Sequence, residues 1–120
     1  MEESQVMQID IATKDGAAVV KPAEHRLDLQ VATEFRTTLL ELIEGGQHRV
    51  IVDLGDVTFI DSSGLGALVS ALKTLKMLKR DGDIRLANVR PPVVALLEII
   101  RLHRVFSSYP SVDQAVQSFS

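Results

Sequence analysis

The spacing of apolar residues changes several times along the chain, and each change predicts a new element. Apolar and polar side chains alternate loosely from Val6 to Ala12, and a second apolar run from Ala17 to Val20 follows the pair Asp15-Gly16. Two short apolar runs around an Asp-Gly pair predict an antiparallel hairpin. We expect Pro22 to end the second strand, because proline cannot donate a ladder hydrogen bond.

Helical spacing appears in two later segments. The first begins at Asp28 and ends at Gly45-Gly46, and the second carries apolar residues from Leu65 to Leu75. Between them, the β-branched run Val50 to Leu54 is typical of a strand buried on both faces. The outer face of the second helix carries four basic residues: Lys73, Lys76, Lys79 and Arg80. We interpret this face as solvated, with docking to an acidic partner beside the site described below as the alternative.

The last third of the chain continues the alternation of strands and helices. Asp81-Gly82-Asp83 predicts a turn, Ile84 to Val89 a strand, and Pro91 to Ile100 a helix that opens on two prolines. Val105 to Tyr109 predicts a short last strand, and Ser111 to Gln114 has the pattern of a capping box that begins a terminal helix.

This order of elements predicts an α/β fold. A hairpin followed by alternating helices and strands implies a mixed sheet with crossover helices. We expect four to five strands and about four helices packed mainly on one face. A chain of 120 residues with 46% hydrophobic and 24% charged residues is long enough for one domain over residues 1–120.

Composition and charge exclude several classes of protein. The absence of cysteine excludes disulfides, thiolate metal sites and cysteine nucleophiles, and the 4% aromatic content argues against a stacking platform for nucleic acid. Residues 1–60 carry a net charge of −6 and residues 61–120 a net charge of +3, which suits protein contacts better than direct nucleic-acid binding. No apolar run approaches a membrane span, and Met1 to Ser4 is acidic, unlike a targeting signal. We therefore expect a cytoplasmic protein that does not enter a membrane.

The sequence offers little for catalysis. It has no phosphate-binding loop, no glycine-rich dinucleotide motif and no nucleophile elbow. His25, His48 and His103 are scattered without a second ligand at suitable spacing, so we interpret them as surface or capping residues. We predict no enzyme activity, no metal site and no cofactor.

One segment, Phe59 to Gly66, carries more polar groups and glycine than a helix start needs. One of Asp61, Ser62 and Ser63 is expected to be the N-cap. The glycines at the start of this helix allow another backbone to come close, either within the fold or from a partner. A helix N-terminus also favours a phosphate group. From the residues alone, a functional and a purely structural role are equally plausible.

The same segment resembles the motif of the STAS domain, in particular that of bacterial anti-sigma factor antagonists. The resemblance rests on Val52-Asp53-Leu54 and on the run from Phe59 to Leu68. Leu27-Asp28, Asn88-Val89 and Val105-Phe106 also fall at the spacing usual for this family. The resemblance therefore extends over most of the chain.

The resemblance implies a phosphorylation switch. Antagonists of this kind bind, when unmodified, an anti-sigma factor that is also a serine kinase, and so free a sigma factor. The kinase modifies the first serine after the aspartate, here Ser62, and a metal-dependent serine phosphatase removes the phosphate. The residues that the resemblance places at the partner surface are Asp28, Asp61, Ser63, Gly64, Leu65 and Gly66. Asp28 is equally well explained as a helix N-cap, and the two roles are compatible.

Three departures from the family pattern concern the identity of the partner. His25-Arg26 occupies a place where relatives usually have a small residue, Pro22 shortens the preceding strand, and Ile100 to His103 replaces a small-residue turn. One alternative function is a non-switching adaptor subunit of a lipid-transport ATP-binding cassette complex. Others are a partner-switching regulator of a stressosome or secretion system, and nucleotide binding or hydrolysis. We expect a monomer or a weak dimer.

Overall fold

The computed structural model describes residues 7–120, and it has the predicted α/β architecture. Val6, where the predicted first strand begins, and the acidic segment Met1 to Ser4 lie outside the described residues. The strands are β1 (Ile9–Lys14), β2 (Ala17–Pro22), β3 (Arg26–Leu27), β4 (Arg49–Asp53), β5 (Phe59–Ile60), β6 (Asp83–Ala87) and β7 (Ser108–Tyr109). The helices are α1 (Leu29–Glu44), α2 (Ser62–Leu78), α3 (Pro91–Ile99) and α4 (Val112–Gln117).

Five strands form the main sheet in the order β1-β2-β4-β6-β7. β1 and β2 are antiparallel, and the remaining neighbours are parallel. The predicted hairpin is confirmed: Asp15 has a φ of 49° and Gly16 a φ of 83°, as a two-residue type I′ turn requires. Pro22 is the last residue of β2, so the second strand ends at the proline, as predicted.

The two faces of this sheet are covered unequally. Val20, Val52 and Leu86 point into the larger core, where they pack with residues of α1, α2 and α3 such as Phe35 and Leu68. Alternate residues point to the other face, because side chains along a strand alternate. There α4 packs on a smaller cluster, which consists of Ala17, Ile51, Ala87, Ala115 and Val116. The prediction of helices mainly on one face is confirmed.

The segment before the last strand differs from the prediction. The strand expected from Val105 to Tyr109 contains only Ser108 and Tyr109. Ahead of it lies a short 3₁₀ turn, Leu102–Arg104, and the backbone N–H groups of Val105 and Phe106 both donate to the Leu102 carbonyl. These bonds keep the chain coiled, while Phe106 is buried in the core. The apolar residues of this segment therefore reflect the burial of Phe106 and do not indicate an extended backbone.

Other element ends follow from local backbone chemistry. β6 ends at Ala87 and not at Val89, because Asn88 adopts a left-handed conformation with a φ of 57°. Ser111 is the N-cap of α4, where its hydroxyl accepts the Gln114 N–H at 3.1 Å. The Gln114 side-chain oxygen lies 3.4 Å from the Ser111 hydroxyl, so the side chains meet but do not form the reciprocal backbone bond of a full capping box. None of the helices formed by residues 7–120 is long and apolar enough to cross a membrane.

Candidate functional site

A second, two-stranded sheet places two helix starts side by side. β3 and β5 are parallel, with Arg26 opposite Phe59 and Leu27 opposite Ile60. The next residue in each strand is an aspartate that begins a helix: Asp28 caps α1 and Asp61 caps α2. The register of two short strands thus brings the N-termini of the two long helices together, with their capping carboxylates as neighbours.

Asp61 joins the two helix starts directly. Its Oδ1 accepts the backbone N–H groups of Ser63 at 2.9 Å and Gly64 at 3.0 Å, both in the first turn of α2. Its Oδ2 accepts the N–H of Leu29, the first residue of α1, at 3.1 Å. One carboxylate therefore satisfies three backbone donors of two helices, which would otherwise lack an intrahelical partner. Of the three candidate N-caps, Asp61 is the one that holds this position.

Asp28 has a simpler role. Its Oδ1 accepts the N–H of Gln30 at 3.1 Å, and its Oδ2 accepts the Arg26 Nε–H at 3.2 Å. The Arg26 guanidinium lies 4.0 Å from the centre of the Phe59 ring, directly across the small sheet. The structure therefore confirms the N-cap reading of Asp28 and gives Arg26, one of the departures from the family pattern, a place at the edge of the site.

The two serines occupy different environments. Ser62 is the first residue of α2 and is exposed, whereas Ser63 is half-buried. Ser63 lines a groove between α1 and α2 together with Leu29, Arg36 and Gly66. Ser62 thus lies at the surface at the N-terminus of a long helix, while Ser63 lines the groove toward the neighbouring helix.

The two glycines of the motif serve different purposes. A Cβ on Gly64 would lie 2.3 Å from the Leu27 carbonyl oxygen. At this position α2 therefore comes closer to β3 than a residue with a side chain would allow. A Cβ on Gly66 would meet nothing within 4 Å, and this residue is exposed. Gly64 and Leu65 are buried beneath the surface that carries Ser62 and Gly66. At Gly64, the close approach expected at the glycines is a contact within the fold, between α2 and β3. At Gly66 the surface has room for a contact with another molecule.

Two exposed apolar side chains border the site, and neither was among the residues expected to contact a partner. Leu29 is 74% exposed at the start of α1, and Phe59 is 41% exposed beside Arg26. The repeated pattern of an apolar residue, an aspartate and a helix start, in Leu27-Asp28-Leu29 and Ile60-Asp61-Ser62, indicates two capped helix starts, but it does not show that they lie side by side.

Asp53 supports the neighbouring end of the main sheet. It is only 7% exposed, and its Oδ1 accepts the Gly55 N–H at 2.9 Å and the Asn88 amide at 3.1 Å. The carboxylate thereby fixes the turn after β4 and the left-handed Asn88 after β6. This contact joins two of the segments that carry the family resemblance, Val52-Asp53-Leu54 and Asn88-Val89.

Other candidates lie elsewhere or lack partners. Lys79 and Arg80 follow the C-terminal end of α2, about 25 Å from Ser62 at 1.5 Å per helical residue. All four basic residues of this face are exposed, in keeping with the interpretation as a solvated face. The far end of the face does not lie beside Ser62, which argues against the alternative of docking beside the site. Among residues 7–120, no three acidic or histidine side chains are close enough together to hold a metal ion. The His25 Nδ1 lies 3.3 Å from the Asp56 carbonyl oxygen.

Comparison with known proteins agrees with the fold and the motif. Residues 8–115 match the STAS domain, and the chain belongs to this family. It is 27% identical over 111 residues to an anti-sigma F factor antagonist of Paenibacillus polymyxa, covering 92% of each chain. It is 31% identical over 91 residues to the anti-sigma-B factor antagonist of Bacillus subtilis, covering 76% of this chain and 81% of the relative.

A solved structure shows the same architecture. An anti-sigma-factor antagonist (STAS) domain protein from Planctomyces limnophilus superimposes with a TM-score of 0.83 at 26% identity, covering 93% of this chain and 97% of that one. The family membership expected from the motif is thus confirmed, as is the mixed five-stranded fold.

Proposed function

We propose that this protein is an anti-sigma factor antagonist switched by phosphorylation of Ser62. In the unmodified state it binds an anti-sigma factor that is also a serine kinase, and a sigma factor is released. Phosphorylation by that kinase ends the interaction, and a metal-dependent serine phosphatase restores it. The observation that carries the proposal is the exposed Ser62 hydroxyl at the first position of α2, between a capping aspartate and an accessible surface.

The surroundings favour Ser62 over Ser63 as the acceptor. A kinase must bring a bound nucleotide into line with the attacking hydroxyl, which requires open space around that oxygen. Ser62 is exposed, whereas half-buried Ser63 faces the groove between α1 and α2. The Ser63 N–H is also engaged by Asp61, which fixes the backbone on which Ser62 is presented.

The surface around Ser62 suits a protein partner. Leu29 and Phe59 are exposed apolar side chains, and Arg26 lies over the Phe59 ring. Exposed apolar side chains near polar groups are typical of interaction sites. Gly66 leaves open space one turn along α2, so a partner's side chain has room to approach there. We infer that the partner covers Leu29, Phe59 and Gly66 and contacts Asp28, Asp61 and the main chain at Ser63. Removal of the Ser63 hydroxyl alone therefore leaves this interface in place.

Phosphorylation is expected to change this surface without unfolding the chain. A phosphate carries a charge of about −1.5 to −2 at pH 7, and a helix N-terminus favours negative charge. The N–H groups of Ser63 and Gly64 are already bonded to Asp61. The phosphate therefore extends into solvent beside Asp61 and Asp28, and adds bulk and repulsion where a partner must fit.

The test compares partners captured from a lysate of the source cells. Four forms serve as bait: the wild-type protein, Ser62→Ala, Ser62→Glu and the matched control Ser63→Ala. We expect a serine kinase to be retained by all except Ser62→Glu. Retention of that kinase by Ser62→Glu would contradict the switch. Capture of transporter subunits by every form would instead indicate a non-switching adaptor.

A further inference from the structure

β1 is an edge strand of the main sheet, and no other strand among residues 7–120 pairs with its outer side. It is the first strand of the main sheet, and it pairs with β2 alone among residues 7–120. Five of its six residues are exposed, and the apolar Ile11 is 50% exposed. An exposed edge strand is a template for pairing with another strand.

The hydrogen bonds of the hairpin show which residues of β1 face outward. The Ala23 N–H donates to the Gln8 carbonyl at 2.8 Å, so the backbone groups of Gln8 point toward β2. Because backbone groups alternate in direction along a strand, Ile9, Ile11 and Thr13 direct their N–H and C=O groups away from β2. The register agrees, since Ile9 lies opposite Pro22, which has no N–H to donate. Three donors and three acceptors are thus available along this edge.

We propose that this edge pairs with the same edge of a second copy, antiparallel about a two-fold axis at Ala12. In this register, Ile11 of each copy exchanges backbone hydrogen bonds with Thr13 of the other. Asp10 of each copy lies directly opposite Lys14 of the other. The two Ile11 side chains become diagonal neighbours on the face of the sheet that carries α1, where their exposed surface is partly buried.

Charge complementarity selects a second copy as the occupant. Asp10 is exposed and forms no ion pair among residues 7–120, whereas Lys14 pairs with Asp113 of its own chain. Antiparallel self-pairing about Ala12 gives two opposite-charge pairs and places no like charges directly opposite, which favours the pairing. An isologous interface requires this kind of self-complementary pattern. Because the edge is only six residues long, the area buried in this interface is small for a specific protein–protein contact. The dimer is therefore expected to be weak.

Sedimentation equilibrium of the full chain over a wide concentration range tests the proposal. The wild-type protein is expected to pass from monomer to dimer as the concentration rises. Asp10→Lys and Lys14→Glu each place like charges opposite one another, so each variant alone should dimerise roughly tenfold or more weakly. Mixed in equal amounts, the two variants should form a heterodimer, because every facing pair is then of opposite charge.

Two further variants separate edge pairing from other causes. Ile11→Pro removes an outward N–H that β2 does not use, so dimerisation should be lost while the circular dichroism spectrum is retained. Ile99→Lys removes an apolar side chain that is 77% exposed on α3, away from the edge, and should leave the dimer unchanged. A wild-type chain that stays monomeric throughout would overturn the proposal, as would a dimer indifferent to Asp10→Lys.

Discussion

Replacement of Asp61 by alanine removes the hydrogen bonds that hold two helix starts together. The Asp61 carboxylate accepts the N–H groups of Ser63 and Gly64 in α2 and of Leu29 in α1. Asp61→Ala leaves all three donors without this acceptor. Asp28→Ala is the matched control, because Asp28 accepts only the Gln30 N–H among backbone groups of residues 7–120 and pairs otherwise with the exposed Arg26.

The expected cost follows from these contacts. Loss of an N-cap aspartate costs about 1 kcal/mol, and up to about 2 where the cap is well packed. The bond to Leu29 adds about 1 kcal/mol, since a hydrogen bond to a charged group that is partly solvated is worth less than a buried one. Asp61→Ala should therefore lower the free energy of unfolding by about 2–3 kcal/mol, and Asp28→Ala by about 1 kcal/mol.

Urea denaturation followed by circular dichroism measures both changes. Asp61→Asn refines the comparison, because asparagine caps a helix as well as aspartate but offers a single acceptor oxygen. It should keep the α2 cap, lose the bond to Leu29 and fall between the wild-type protein and Asp61→Ala. Equal destabilisation by Asp61→Ala and Asp28→Ala would contradict the role of Asp61 as a cap shared by both helices.

Four further substitutions test the same region and the core. Gly64→Ala should destabilise the protein by 2 kcal/mol or more, roughly, because its Cβ would lie 2.3 Å from the Leu27 carbonyl oxygen. Gly66→Ala, with nothing within 4 Å, should stabilise it by about 0.5–1 kcal/mol, and equal effects of the two substitutions in thermal melts would be contradictory. Phe35→Ala should cost about 3–5 kcal/mol in urea denaturation, since this side chain is fully buried; a change under about 1 kcal/mol would contradict that packing. Ser62→Glu should change stability by less than about 0.5 kcal/mol, and loss of its circular dichroism signal would show that charge at this position disrupts the fold.

The long elements could be predicted because a local pattern specifies each of them. The period of apolar residues identified α1 and α2, and the Asp-Gly pair identified the hairpin, whose turn requires positive φ at Asp15 and Gly16. These signals are confined to a few neighbouring residues. Sequence reasoning is reliable where local chemistry and the final fold agree.

The short elements depend on contacts between distant parts of the chain. β3 and β5 contain two residues each and exist because Leu27 and Ile60 pair across the sequence. A two-residue strand has no period to detect. The segment around Phe106 was mispredicted for a related reason. Its apolar residues suggested a strand, but Phe106 is apolar because it is buried in the core, and the chain before it forms a 3₁₀ turn.

The sequence predicted which residues form the site but not how they are arranged in space. The motif identified Asp61 and Ser62, and the helix pattern identified Asp28 as an N-cap. The bond from the Leu29 N–H to Asp61 could not be read from the sequence, because it joins residues 32 positions apart. This contact makes Asp61 a shared support of both helices, while the neighbouring Ser62 stays exposed.

The switch at Ser62 is tested most directly by the affinity of the captured kinase for the protein before and after stoichiometric phosphorylation, with the modified residue located by mass spectrometry. We expect phosphate on Ser62, a large loss of affinity and an unchanged circular dichroism spectrum. We also expect normal phosphorylation of Ser63→Ala and none of Ser62→Ala. Phosphate on Ser63, or equal affinity of the two forms for the kinase, would contradict it.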